Sequence, residues 1–122
     1  MTQERRAELT AAGIDVEAAL ERLLGSEALL ERLLGKFPED GNYQALRSAL
    51  ETGDLERAAD AAHTLKGVCG NLSMTALYGL FSRQTEALRR GDAAAAGTLM
   101  EQIAPAYEAM CRAIGGQGDG AR

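Results

Sequence analysis

Histidine occurs once in the 122 residues, tryptophan never, and proline and cysteine only twice each. A metal centre needs several ligands held close together, and one His with two distant Cys does not supply them. Aromatic residues make up 4% of the chain, so its core must be aliphatic, built mainly from Leu and Ala, and such a composition favours helices. No apolar run approaches the roughly 20 residues that span a bilayer, and the opening MTQERRAELT lacks the apolar stretch of a secretory leader. The 13 basic residues are outnumbered by 18 acidic ones, giving a net charge of -5 and a pI near 4.9. That balance argues against nucleic acid or an anionic membrane as partner. Cys69 and Cys111 read as reduced core thiols of a cytoplasmic protein. A glycine-rich phosphate loop and a paired-carboxylate motif for Mg²⁺ are missing as well, so the chain does not read as one that binds and cleaves ATP.

What is present is helical periodicity from end to end. GIDVEAALERLLG places Val16, Ala19, Leu20, Leu23 and Leu24 at helical spacing, and Gly25 closes it. Ser26 is an N-cap for EALLERLLGKF, and Pro38 interrupts that helix. A shorter helix carries Tyr43, Leu46, Ala49 and Leu50, and Asp54 caps the next, which runs to about Asn71. Another begins at Ser73 or Met74, with Leu77, Leu80, Phe81, Gln84 and Leu88 as its stripe. Asp92 caps the last, whose stripe is Leu99, Ile103, Tyr107, Met110 and Ile114. No segment alternates as a strand would. The expectation is one all-α domain over 1–122, an antiparallel up-and-down four-helix bundle with an additional short N-terminal helix packed across it. The bundle covers about 14–114, and residues 115–122, without apolar content, form a disordered tail.

The only histidine lies in AAHTLKGVCGNL, residues 61–72, together with two glycines in what should be a helix interior. Each Gly costs about 1 kcal/mol there relative to Ala. At about 100° per residue, Leu55, Ala58, Ala62, Leu65, Cys69 and Leu72 form the buried stripe, and His63 projects roughly 130° away from its middle. Lys66, Gly67 and Gly70 share the side of His63. The glycines leave the imidazole open to something bulky, and Lys66 at i+3 brings a positive charge. An imidazole, with its ordinary pKa of about 6.5, offers a nucleophilic ring nitrogen near neutral pH. The pattern suits transient attachment of a phosphoryl group, whose charge of roughly -1.5 to -2 the Lys offsets in part.

HTLKG within AAHTLKGVCGNL, in an all-helical chain of this length, resembles the histidine-containing phosphotransfer (HPt) domain of bacterial phosphorelays. The resemblance spans roughly 14–114, with GIDVEAALERLLG before the bundle and LETGD before the histidine helix. It implies that His63 accepts the phosphoryl group on its outer ring nitrogen, that Lys66 stabilises the phosphate, and that Gly67 leaves room for the partner. Gly70, Gln84 and Thr85 are expected to add to the docking surface. Family members often carry Gly ten residues after the His, and Gln or Glu twenty-two after it against the imidazole; here those positions are Ser73 and Thr85. Gln84 falls in an apolar stripe and reads as a buried amide.

The resemblance further implies a monomeric cytoplasmic phosphocarrier, not an enzyme, with no cofactor of its own and with any Mg²⁺ held by the partner. The partners are response-regulator receiver domains, that of a hybrid sensor histidine kinase being one option, and neither nucleic acid nor membrane. The starting Met and the length favour a free-standing protein over the end piece of a larger kinase. The alternative is a non-catalytic helical adaptor that docks receivers without carrying phosphate. The His–Lys–Gly set favours the carrier, since an adaptor would tolerate Ala at Gly67 and Gly70.

Overall fold

Five residues that cap helices are written into the chain, and each begins a helix. In the computed structural model, which describes residues 1–115, the side chains of Thr2, Asp15, Ser26, Asp54 and Asp92 each accept a bond from the backbone N–H three residues on. Such a cap stabilises a helix by about 1 kcal/mol. The helices are α1 (Gln3–Ala11), α2 (Val16–Arg22), α3 (Glu27–Lys36), α4 (Asn42–Thr52), α5 (Leu55–Asn71), α6 (Thr75–Arg89) and α7 (Ala93–Gly115). Pro38 sits in the 3-10 turn Phe37–Glu39 that ends α3. Apart from one antiparallel bridge between Ile14 and Met74, the regular structure among the described residues is helical. Gly115 still belongs to α7, and the rest of the expected disordered tail, 116–122, lies outside the described residues.

Five helix ends share one closure, a left-handed residue followed by a backbone N–H that reaches five residues back. Gly13, Gly53 and Gly91 take that conformation at three of them. Leu24 (φ 55°) and Ser73 (φ 56°) take it at the ends of α2 and α5, where a Cβ makes it costlier.

The apolar stripes meet in a single aliphatic core. Leu30 and Leu34 of α3, Leu46 and Ala49 of α4, Ala58, Ala62, Leu65 and Cys69 of α5, Phe81 of α6, and Ala96 and Ile103 of α7 are all fully buried. α5 packs between α4 and α6, and α6 packs on α7. Tyr43 of α4 stacks on Tyr107 of α7, with ring centroids 3.7 Å apart and planes 6° from parallel. Burial pushes the Cys69 thiol up to about 12, with a smaller contribution from the charge of Asp40. It is an inert core thiol at neutral pH, and Cys111 is free as well.

The periodicity reading contains no counterpart of α1. This helix buries one residue, Leu9, and has no apolar stripe to announce it. Arg5 holds it in place instead. Its guanidinium makes a bidentate pair with Glu31 of α3 (3.0 and 2.8 Å) and donates to the carbonyls of Ala113 (2.8 Å) and Ile114 (2.9 Å) at the end of α7. The same bond from Arg5 draws the Glu31 carboxyl below its usual range, against the opposing effect of burial. A lowered folded-state pKa contributes stability above the ordinary Glu value of about 4.3, and that contribution is lost as the pH falls through the folded value. Arg5→Ala should therefore cost about 1–2 kcal/mol at pH 7, a figure already discounted for the partial exposure of Glu31. Chemical denaturation at pH 7 and again below pH 4 should show the gap between variant and wild type narrowing in acid. An equal gap at both pH values would place the effect in packing rather than in the ion pair.

Candidate functional site

α5 carries the only histidine on the outer side of a helix whose inner side is almost entirely small. Ala58, Ala59, Ala61 and Ala62 are buried, which lets the first half of α5 lie close to its neighbours, and Leu65 and Cys69 continue the buried side. His63, at the opposite side, is exposed, and none of the side-chain hydrogen bonds among the described residues involves it. Thr64 beside it bonds back to the Asp60 carbonyl (3.1 Å).

The two glycines of α5 differ in what surrounds them. A Cβ built on Gly67 would have nothing within 4 Å, so the surface one turn after His63 is open. A Cβ on Gly70 would stand 3.2 Å from Cδ1 and Cε1 of Tyr78, on α6. The expectation that both glycines bare the same surface is therefore corrected at Gly70: its missing side chain is the seat of a tyrosine ring. Lys66, half-buried, places its Nζ 5.9 Å from the centroid of that ring. Tyr78, 42% exposed, follows Leu77 at the edge of the α6 stripe, and no pattern within α6 links it to Gly70 or Lys66.

Gln84 and Thr85 are corrected too as docking residues. They are 0% and 4% exposed, on the buried side of α6, and cannot meet a partner. Thr85 donates its hydroxyl to the Phe81 carbonyl (2.8 Å), within its own helix. Gln84 is the buried amide its stripe position indicates: its Nε2 donates to the Ala96 carbonyl of α7 (3.2 Å), and its Oε1 has no partner among the described residues. An orphaned buried acceptor costs about 1–3 kcal/mol. Gln84→Met, similar in volume and apolar, is accordingly expected to stabilise the protein by about 1 kcal/mol, or about 4 °C in melting temperature. A fall in melting temperature would show that Oε1 is bonded after all.

Ser73 is buried, and its hydroxyl accepts a bond from Arg22 of α2, which also donates to the Asn71 carbonyl (3.3 Å). With the left-handed backbone of Ser73, that bond ties α2 to the end of α5. Ser73 thus does locally what a glycine would do by conformational freedom alone.

Chemically, the face presents one nucleophilic imidazole, one ammonium a turn away and an unobstructed stretch of helix. The described residues contain no cluster of three or more His, Cys, Asp or Glu side chains that could hold a metal ion, and no helix among them is long and apolar enough to cross a membrane. The model of the Hpt domain family matches residues 28–114, a range that contains this whole face. No curated protein and no solved structure matches the chain.

Proposed function

Since the chain belongs to the Hpt domain family, the phosphocarrier module of two-component phosphorelays, we propose that His63 takes a phosphoryl group from the phospho-aspartate of a receiver domain and passes it to the aspartate of another. In the accepting step the outer ring nitrogen attacks phosphorus, an N–P bond forms, and the P–O bond to the aspartyl carboxylate breaks, releasing that carboxylate. The delivering step is its reverse on a second receiver. Lys66 offsets charge on the bound phosphoryl group, and Gly67 admits the loops around the receiver's active site. Any Mg²⁺ in the reaction belongs to the receiver.

The observation that carries this reading is the exposed His63, without a side-chain hydrogen bond among the described residues, beside the open surface at Gly67 and within the matched region. The same reading includes a monomeric cytoplasmic protein without autokinase activity, forming one HPt unit. It also includes α4 to α7 as an antiparallel up-and-down bundle with the preceding helices against it. Supporting that arrangement are the short connections Gly53–Asp54, Leu72–Met74 and Arg90–Asp92 and the packing of successive helices on one another.

Incubation with phosphorylated receiver domains tests the proposal. The expected result is label transferred to this chain as an acid-labile, base-stable phosphate. Receivers that bind the chain without transferring label would leave the adaptor in its place.

A further inference from the structure

The cluster of Lys66, Gly70 and Tyr78 joins two helices at the edge of the candidate site, and the carrier reading gives no role to its ring. Among the described residues, Tyr78 is one of two large apolar side chains that stand exposed, the other being Leu24. Its ring has a built seat, since a Cβ at Gly70 would press on Cδ1 and Cε1. From that seat the ring offers its face to the Lys66 ammonium, 5.9 Å from the centroid. No ion pair among the described residues involves Lys66, so the ring is its one resolved electrostatic contact.

Along the α5 axis, Lys66 stands between two attractors. His63 is three residues back, about 4.5 Å, and Gly70 with its overlying ring is four residues on, about 6 Å, at 1.5 Å rise per residue. One ammonium cannot sit fully at both ends. Building on the carrier reading, we propose that Tyr78 is a positioning residue that holds the Lys66 ammonium away from His63 in the unphosphorylated protein and competes with the phosphoryl group for it. The ring thereby sets how far the transfer equilibrium lies toward phosphorylated His63. A cation–π contact at a partly exposed site corresponds to a roughly 2- to 5-fold shift in that equilibrium.

The chain contains two lysines, Lys36 and Lys66, so lysine-selective ¹³C labelling gives two Cε–Hε signals, assigned with Lys36→Arg. In the resting protein the Lys66 Hε signal should lie upfield, shifted by the ring above it. Tyr78→Phe should keep that shift. Tyr78→Leu removes the ring and Gly70→Leu fills its seat, so both should abolish the shift, through changes on different helices. When His63 is phosphorylated with phosphoramidate, which loses ammonia as its phosphoryl group passes to the imidazole, the wild-type Lys66 signal should move to the free-lysine position.

With any receiver domain that phosphorylates the wild-type protein, Tyr78→Leu and Gly70→Leu should each raise the equilibrium ratio of phosphohistidine to phosphoreceiver about 2- to 5-fold. An equilibrium ratio is insensitive to slower docking, so obstruction of a partner by the new Leu would not mimic this result. A wild-type His63 that no donor labels would overturn the carrier reading and this inference with it. A labelled His63 with an unmoved Lys66 signal, or an unchanged ratio in both Leu variants, would overturn this inference alone.

Discussion

His63→Gln abolishes labelling by a phosphorylated receiver while leaving helical content and melting temperature nearly unchanged. Both halves of that expectation come from the position of the residue. The imidazole is exposed and engages in no side-chain hydrogen bond among the described residues, so its removal breaks no structural contact. Substitutions at such surface positions usually fall within about 0.5 kcal/mol of neutral, and Gln is at least as good a helix former as His. The chemistry, by contrast, has no substitute. A carboxamide nitrogen is not nucleophilic, and no second histidine exists in the chain. Label that survives the change would move the acceptor to another residue, and a variant that unfolds would make His63 structural. Phosphotransfer assays alongside circular dichroism and thermal melts separate these outcomes.

Gly67→Gln is expected to separate stability from transfer in opposite directions. Nothing lies within 4 Å of a Cβ at this position, so the folded protein accommodates the side chain freely. Replacing an interior helix Gly contributes about 0.5–1 kcal/mol and raises the melting temperature by a few degrees. Under the carrier reading, however, the receiver has to bring its aspartyl phosphate in line with the His63 nitrogen. A misplacement of about 1 Å in such a geometry costs on the order of 10²-fold in rate, and a Gln one turn from the imidazole stands in the path of approach. A destabilised variant whose folded fraction transfers normally would instead assign Gly67 to internal packing. Thermal melts and transfer rates measured on the same preparation decide between the two.

What could be read from the sequence is what lies within one helical period. The placement of His63 opposite Leu65 and Cys69, the openness at Gly67 and the burial of Gln84 all follow from 100° steps along one helix. The role of Gly70 does not, because the ring that occupies its space arrives from α6, and the register between two helices leaves no mark on either one's periodicity. Thr85, one turn after Phe81 and bonded to it, is within reach of the same 100° count; its place among the docking residues follows from the resemblance and not from the periodicity. α1 escapes for a different reason. Its anchor is a single arginine whose partners lie 26, 108 and 109 residues away in the chain, and no local pattern encodes such a link. Ser73 is an intermediate case. The end of α5 is legible, while the left-handed turn there is made tolerable by Arg22 from a helix about fifty residues earlier.

Among the described residues no side chain hydrogen-bonds the His63 imidazole, so neither ring nitrogen is committed before a partner arrives. Ordering the ring falls to the encounter complex, at about 0.5–1.5 kcal/mol for an immobilised side chain. Under the carrier reading this makes the reactive group indifferent to who approaches it. Discrimination among visitors then resides in the surrounding helix surface, so residues that never touch the phosphate decide which messages are relayed, and altering them redirects the traffic without retuning the chemistry.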